Sequence, residues 1–256
     1  MKIDFKWIGG ATFILTIDGV KIAVDPVLCP KGTVQDYFWF KSKRIEAPKY
    51  ENNDFNNIDL WLITHNHEDH LDKIGLSKID ENATIISNRN ASKILKMKNN
   101  VSILDWHNTK EIIIKDMTIA VQAIPAIHGV NPISALFAGK VNGYDVTIVK
   151  GDEKANIYIT GDTVYKSKII NVLQNKSIDL LIANMGAAKQ GSWIMTLTLN
   201  AKMLQKMIGK LHPKMVIPVH FGTFEHYKES KQKIMNLHNK KIRFIEVGES
   251  VQLDLK

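Results

Sequence analysis

The feature that most constrains this chain is a cluster of three histidines and an aspartate within six residues: His65, His67, Asp69 and His70. The apolar run at residues 58–63 comes directly before it. A short apolar run bounded by polar residues predicts a buried strand. The cluster therefore lies where a strand ends, and in an open α/β fold ligands bind at the carboxyl ends of strands.

This cluster has the composition of a metal site. Imidazole nitrogens and carboxylate oxygens are the ligands that borderline divalent ions prefer, zinc above all. Residues two apart in an extended segment point the same way, so we expect His65 and His67 to chelate one ion together. Asp69 and His70 follow where the chain turns toward a helix, and we expect them to face a second ion. The alternative is a solvated polar loop, which the density of histidines disfavours.

The composition of the whole chain is that of a globular protein. Of its 256 residues, 45% are hydrophobic and 23% charged, and no linker or low-complexity tract divides them, so we predict one domain over residues 1–256. The single cysteine, Cys29, excludes an intramolecular disulfide. The amino terminus lacks a signal-peptide core, and no apolar stretch reaches the roughly 18 residues that span a bilayer. We therefore expect a cytoplasmic protein without a membrane span.

The net charge of +8 is compatible with an anionic substrate, a nucleic-acid partner or a merely basic surface. The densest basic region follows residue 200, where lysines repeat every four residues: Lys202, Lys206, Lys210 and Lys214. Apolar residues fill the opposite side, which predicts an amphipathic helix over residues 198–211 with a solvated charged face. A nucleic-acid partner is therefore disfavoured.

The amino-terminal region predicts three strands over residues 3–8, 12–17 and 20–25. The Asp18-Gly19 pair between the last two predicts a hairpin turn. The third run ends at Asp25, which we expect either to orient a ligand histidine or to cap a turn.

Residues 27–56 are irregular and rich in aromatic side chains, which either roof a pocket or pack the loop. Four features are candidates to shape a pocket: residues 37–40, Tyr165, Trp193 and residues 224–226.

Three later apolar runs also end at a residue that can bind metal. His128 follows the run at 118–124, Asp162 follows the run at 156–160, and His220 follows the run at 215–219. Alone each is a weak signal, but beside the first cluster they complete a set of seven metal ligands at strand ends.

One helix, four strands and a turn are predicted from pattern alone. Asn142-Gly143 predicts a turn between strands at 134–141 and 146–149. Residues 227–237 predict a helix, and residues 242–247 and 251–255 predict closing strands.

The second half of the chain echoes the first. The sequence Ile-Asp-Leu-Leu-Ile at 178–182 is similar to the run at 58–63, and each half has a β run that ends in aspartate. This self-similarity hints at an internally duplicated fold.

Together these residues resemble the metallo-β-lactamase superfamily. Its His-x-His-x-Asp-His motif corresponds to His65-Asn66-His67-Glu68-Asp69-His70, and its later motifs to Pro-Ala-Ile-His128, Thr-Gly-Asp162-Thr and Pro-Val-His220. The Trp-Ile-Gly-Gly-Ala-Thr opening, Val-Asp-Pro and the closing Ile-Pro-Val-His-Phe-Gly-Thr-Phe-Glu are similar to small hydrolases related to ascorbate phosphate lactonase and N-acylethanolamine-releasing phospholipase D. The resemblance spans about residues 3–250.

The resemblance implies an α/β fold, namely a four-layer αββα sandwich of two mixed β-sheets flanked by helices. It also implies two divalent metal ions at one edge of the sheets. It assigns His65, His67 and His128 to the first site and Asp69, His70 and His220 to the second, with Asp162 as the bridge. His67 stands where di-iron members carry glutamate, so zinc, or manganese as in some relatives, is favoured over redox iron.

The implied activity is hydrolysis of an ester-type bond, a phosphodiester or a lactone, in a small anionic substrate. A metal-bridging hydroxide attacks the bond. Asp162 and Asp69 are the predicted catalytic carboxylates, and Asp69 is expected to relay a proton to the leaving group. The alternatives are a nuclease and a non-catalytic metal-stabilised scaffold. A homo-oligomer is compatible with the sequence, which does not identify the substrate-binding residues.

Overall fold

The computed structural model describes residues 1–37, 40–130, 139–188 and 196–255. Within them the β-strands are β1 Ile3–Gly9, β2 Thr12–Ile17, β3 Val20–Val24, β4 Val34–Asp36, β5 Lys41–Lys43, β6 Leu60–Ile63, β7 Ile85–Ser87, β8 Val101–Ile103, β9 Thr109–Ile114, β10 Met117–Ala126, β11 Val141–Lys150, β12 Glu153–Ile159, β13 Leu180–Asn184, β14 Met215–Val219 and β15 Ser250–Leu253. The α-helices are α1 Lys73–Lys78, α2 Ser167–Leu173, α3 Ala201–Leu211 and α4 Lys231–Met235, and Ala91–Lys93 forms a 3₁₀ turn. No helix in these segments is long and apolar enough to cross a membrane.

Two large mixed sheets form the centre of the molecule. One has seven strands in the order β15-β1-β2-β3-β6-β7-β8, and the other has six in the order β14-β13-β12-β11-β10-β9. Strands β3, β6, β7 and β8 run parallel, as do β12, β13 and β14. Strands β4 and β5 form a separate small hairpin. The carboxyl ends of the parallel strands supply most of the loops that matter below.

The seven-stranded sheet buries both faces, because its side chains alternate between two apolar clusters. In β6, Leu60 and Leu62 join the large core that includes the six-stranded sheet, whereas Trp61 and Ile63 join a smaller core on the opposite face. Successive residues of a strand point to opposite faces, so this alternation separates two packed layers.

Helices complete the outer layers. The smaller core holds Leu71 and Ile79, which flank α1. Helices α2 and α3 contribute Leu173, Leu204 and Met207 to the large core. The result is the αββα sandwich that the resemblance implied.

Helix α3 follows the amphipathic pattern, although it begins at Ala201 rather than near residue 198. The side chain of Asn200 caps its first turn by accepting a hydrogen bond from the Met203 N–H. Its buried residues include Leu204, Met207 and Leu211, while Lys202, Lys206 and Lys210 are exposed.

Asn142 and Gly143 do not form a turn, and this prediction was wrong. Both lie inside the continuous strand β11, paired with Pro125 and Ile124 of β10. A Cβ at position 143 would lie 2.9 Å from the Thr160 carbonyl oxygen, so the glycine serves a close backbone approach instead of a turn. The predicted strand at 134–141 lies mostly outside the described residues.

The last two elements differ from the sequence pattern for local reasons. The helix predicted at 227–237 is confined to Lys231–Met235, because Ser230 is extended and caps it. Residues 242–247 form only one bridge, between Ile242 and Val216. This segment then crosses to the other sheet, where the Gly248 N–H donates to the Trp7 carbonyl beside β15.

The echo between the two halves has a structural counterpart. Asp59 and Asp179 occupy equivalent places, accepting from the backbone N–H of Lys21 and of Asn156 respectively, both at 2.8 Å. Each aspartate precedes a strand, β6 or β13, that pairs in parallel with β3 or β12.

Candidate metal centre

All seven predicted ligands converge on one edge of the two sheets. His65, His67, Asp69 and His70 lie in the loop after β6, while His128, Asp162 and His220 follow β10, β12 and β14. His220 has a left-handed backbone with φ of 62°, which is uncommon for a non-glycine residue and typical of functional sites. Its N–H donates to the Gly10 carbonyl at 3.0 Å, which ties this strand end to the first sheet.

The loop that carries four of the ligands is fastened at several points. The Gln35 side chain donates to the Glu68 carbonyl at 2.6 Å. At the far end Asp72 caps helix α1 and accepts from the backbone N–H groups of Leu28 and Cys29 at 2.8 and 2.6 Å. The loop is thus held to the body within the histidine motif and directly after it.

Three of the histidines form a first cluster, His65, His67 and His128, whose ligand atoms lie within 4.8 Å of one another. His67 Nδ1 lies 3.0 Å from His65 Nε2 and 3.3 Å from His128 Nε2. Burial lowers the pKa of all three, that of His67 to about 4. All three are therefore neutral at pH 7, the form that binds metal.

The other four side chains form a second cluster, Asp69, His70, Asp162 and His220, with the same 4.8 Å limit between ligand atoms. Burial favours a higher pKa for Asp162, but nearby His220 and His70 outweigh it and hold the pKa well below 3.8. Burial likewise favours a lower pKa for His70, but Asp162 and Asp25 outweigh it and hold the pKa well above 6.5. Without metal, this cluster is an ion-paired network.

Asp162 faces both clusters. Its Oδ1 atom lies 3.2 Å from His70 Nε2 and 3.6 Å from His220 Nε2, whereas its Oδ2 atom lies 3.6 Å from His128 Nε2. The side-chain amide of Asn184, at the end of β13, donates to Oδ1 at 3.0 Å. One oxygen toward each cluster is the arrangement of a bridging carboxylate.

Asp25 connects one histidine of each cluster. Its Oδ2 atom accepts from His70 Nδ1 at 2.7 Å and from the Thr64 hydroxyl at 2.6 Å. Because the hydroxyl proton goes to Asp25, Thr64 Oγ1 accepts from His65 Nδ1 at 3.0 Å. Asp25 thus contacts a ligand histidine, which is one of the two interpretations of Asp25 from the sequence. In both histidines the hydrogen bond at Nδ1 leaves Nε2 as the nitrogen that faces the cluster.

The donor set fits a metal. His128 Nδ1 donates to the Leu197 carbonyl at 2.8 Å, so its Nε2 lone pair also points into the first cluster. The Nε2 lone pairs of His65 and His128 therefore both point at His67 Nδ1. That nitrogen carries at most one hydrogen, so it can donate to only one of them. In the second cluster Asp69 Oδ1 and His220 Nδ1 are buried without a hydrogen-bond partner among the described residues. Imidazole nitrogens and carboxylate oxygens arranged in this way suit zinc.

Comparison with known proteins identifies the family. Residues 4–220 match the model of the beta-lactamase superfamily domain. The chain belongs to this superfamily.

Its relatives in the superfamily include two curated proteins. N-acyl-phosphatidylethanolamine-hydrolyzing phospholipase D 1 of Caenorhabditis elegans is 23% identical over 90% of this chain and 68% of its own length. A UPF0173 metal-dependent hydrolase of Thermodesulfovibrio yellowstonii is 26% identical over 98% of this chain and 92% of its own.

Two solved structures share the fold over nearly the whole chain. A possible metal-dependent hydrolase from Veillonella parvula has a TM-score of 0.84 at 23% identity, covering 99% of this chain and 100% of its own. The isothiocyanate hydrolase from Delia radicum gut bacteria has a TM-score of 0.79 at 21% identity, covering 97% and 98%.

An aromatic wall, formed by the rings of Tyr37 and Phe40, stands beside the loop that carries His65, His67, Asp69 and His70. The Tyr37 ring stacks on Phe40 with centroids 4.8 Å apart and meets His67 edge-on at 6.3 Å. The irregular segment at 27–56 thus reaches the candidate site. Tyr165 instead packs against the large core, and Trp193 lies outside the described residues.

Three residues that contact the candidate ligands, and one that contacts them through His226, were not predicted as part of the site: Thr64, Asn184 and Tyr227, and Ser42. Asn184 had a usable signal, because it ends β13 between the strands that lead to Asp162 and His220. Tyr227 was assigned to a helix, and Ser42 lies in a segment without periodicity.

Proposed function

We propose that the protein is a metal-dependent hydrolase with two divalent ions, zinc in preference to manganese. His65, His67 and His128 hold the first ion, Asp69, His70 and His220 hold the second, and Asp162 bridges them. The observation that carries the proposal is the orientation of Asp162, which presents a different carboxylate oxygen to each cluster.

Each residue has a role that follows from its contacts. When bound, two divalent ions supply an activated water at neutral pH and stabilise charge on the leaving oxygen. Asp25 and the Leu197 carbonyl keep His70 and His128 in the tautomer that leaves Nε2 free. Asp69 Oδ1 is buried and unpartnered among the described residues, so it is placed to relay a proton to the leaving group.

The proposed substrate is a small anionic molecule with an ester-type bond, a phosphodiester or a lactone. The net charge of +8 favours an anion, and the Caenorhabditis elegans relative is named as a phospholipase D. The wall of Tyr37 and Phe40 offers an apolar surface next to the metal loop for the uncharged part of such a substrate.

The test begins with the metal content of the purified protein and of an Asp162→Ala variant. We expect close to two equivalents of zinc or manganese in the wild type and a loss in the variant. We also expect turnover of bis(p-nitrophenyl) phosphate or of a lactone, falling about 10³-fold in the variant because several kcal/mol of transition-state stabilisation are lost.

Asp145→Ala is the matched control, because Asp145 is a buried aspartate of the same sheet that pairs with Lys176 outside the site. It should keep its metal. Turnover no higher than that of a His65→Ala/Asp162→Ala double variant would contradict the hydrolase, and failure to take up metal on reconstitution would favour a non-catalytic scaffold.

A further inference from the structure

The two carboxylate oxygens of Asp69 have different surroundings. Oδ2 accepts hydrogen bonds from His226 Nε2 at 3.1 Å and from the Tyr227 hydroxyl at 3.0 Å, and it lies 3.5 Å from His220 Nε2 of the second cluster. Oδ1 is buried and has no hydrogen-bond partner among the described residues. Because rotation of the carboxylate would break both bonds at Oδ2, the direction of Oδ1 is fixed. A buried polar atom without a partner is costly and calls for a functional reason.

Ser42 determines which nitrogen of His226 carries the hydrogen. The backbone N–H of His226 can only donate, and it reaches Ser42 Oγ at 3.4 Å. The serine proton is therefore available for His226 Nδ1, 2.6 Å away. With Nδ1 as acceptor, the ring hydrogen lies on Nε2 and points at Asp69. The opposite tautomer would bring two acceptors together at the 3.1 Å contact.

Ser42 is held in place by the small hairpin to which it belongs. The hairpin of β4 and β5 and the two residues that follow Arg44 attach to the segment after β14 through three backbone hydrogen bonds. The N–H groups of Ile45 and Glu46 donate to the Thr223 carbonyl at 2.9 and 3.3 Å, and the Glu225 N–H donates to the Lys43 carbonyl at 3.0 Å. The ring of Tyr37 also packs on His226, with centroids 5.2 Å apart. His226 is therefore enclosed from the hairpin side.

We propose that Ser42, His226 and Tyr227 are positioning residues that fix the orientation of the Asp69 carboxylate in the second cluster. This inference rests on the proposed metal site for its effect on metal binding. The hydrogen-bond chain from Ser42 through His226 to Asp69 does not itself require a metal. It gives the β4–β5 hairpin a function, since the hairpin carries the serine that orients His226. Removing a group that hydrogen-bonds a metal ligand typically lowers metal affinity by about 10- to 100-fold.

The first test needs no metal. Nitrogen-15 NMR of the metal-free protein should show the His226 hydrogen on Nε2, with Nδ1 as an acceptor. In Ser42→Ala we expect a smaller share of this tautomer, because Asp69 alone then favours a hydrogen on Nε2. A hydrogen on Nδ1 in the wild type, or an unchanged tautomer in Ser42→Ala, would overturn the role of Ser42.

The second test measures Zn²⁺ binding by competition with a chelator. His226→Leu should weaken binding at the second cluster about 10- to 100-fold. His226→Gln should stay within about threefold of the wild type, because its amide can accept from Ser42 and donate to Asp69. Repeating the titration in a His67→Ala background assigns the affected step to the second cluster.

Tyr227→Phe should weaken the same step by about threefold to tenfold, since it removes one of two donors to Asp69 and also the 2.7 Å contact of the hydroxyl with His220 Nε2. Tyr158→Phe is the matched control, because the Tyr158 hydroxyl is buried in the core without a partner among the described residues. Wild-type affinity in His226→Leu, or equal losses in His226→Gln and His226→Leu, would contradict the proposed orientation of Asp69 by His226.

The two proposals fail in different ways. If the wild type takes up no second Zn²⁺ ion, the proposed metal site is wrong, while the tautomer measurement still decides whether Ser42 orients His226. If His226→Leu does not fold, Ser42→Ala and His226→Gln give the answer. Thermal unfolding of each metal-free variant separates loss of fold from loss of orientation.

Discussion

The two clusters of the candidate centre lie side by side but are built differently. The first consists of neutral histidines, two of them from one short loop, and His67 is only half-buried. The second contains two carboxylates, and all four of its side chains are buried. Its supports come from distant segments, through Asp25, Asn184, His226 and Tyr227. Buried charge needs hydrogen-bonded partners, so the second cluster depends far more on the rest of the fold.

The electrostatics of the metal-free chain show the same contrast. In the first cluster burial dominates, and the pKa of each histidine lies below 6.5. In the second cluster burial is outweighed: hydrogen bonds from His220 and His226 hold the pKa of Asp69 well below 3.8, and carboxylates hold the pKa of His70 well above 6.5. The first cluster is thus a set of free lone pairs, and the second is a set of charges already compensated by one another.

The largest effect on this comparison is expected from Asp25, which contacts His70 of the second cluster directly and His65 of the first through Thr64. Asp25→Asn should weaken Zn²⁺ binding at both steps by about 10- to 100-fold, because an amide cannot accept from both His70 and Thr64 in the same way. Thr64→Val removes only the branch to His65, so it should weaken the first step alone. Both are measured by chelator competition.

Equal loss at both steps in Thr64→Val would show that the two clusters are coupled through the threonine itself. Retention of both steps in Asp25→Asn would mean that Asp25 only caps the turn after β3, which was its second interpretation from the sequence.

The seven candidate ligands could be predicted from the sequence because strand ends and short spacing mark them. Four lie in one loop, and each of the others directly follows a recognisable β run, where parallel strands bring their carboxyl ends to one edge. The three amino-terminal strands and the helix near 198–211 followed for the same reason, since their periodicity matches their burial.

The supports of the site could not be predicted, because tertiary contacts alone define them. Ser42 belongs to a three-residue strand without a pattern, and it matters only because the hairpin packs against His226. Asn142 and Gly143 show the opposite error, in which a turn signal was overridden by the need for close contact with Thr160. Local propensity is a weak guide wherever the fold imposes its own spacing.

A smaller effect is expected from Gly186→Ala, which acts on the second cluster alone. An added Cβ would lie 2.9 Å from both His220 Nδ1 and Thr198 Oγ1, so the His220 ring must move. We expect Zn²⁺ affinity at the second step to fall up to about tenfold, with the first step unchanged. Gly209→Ala is the control, because a Cβ there meets nothing within 4 Å. Equal losses at both steps would indicate general damage to the fold.

The smallest effect is a difference in pH response, measured on metal-free protein by chemical unfolding. The pKa of His67 is about 4 in the folded state, below the unfolded value of 6.5, so the unfolded chain binds the proton first as the pH falls. Stability from this neutral histidine is therefore present above pH 6.5 and decreases as the pH is lowered toward 4. His70 has the opposite sign, because its raised pKa makes its contribution to stability disappear as the pH rises.

Between about pH 6.5 and about pH 5.5, His67→Gln should lose about 1 kcal/mol less unfolding free energy than the wild type. An equal loss in both proteins would show that His67 is not held neutral, and the contrast between the two clusters would then rest on hydrogen bonding alone.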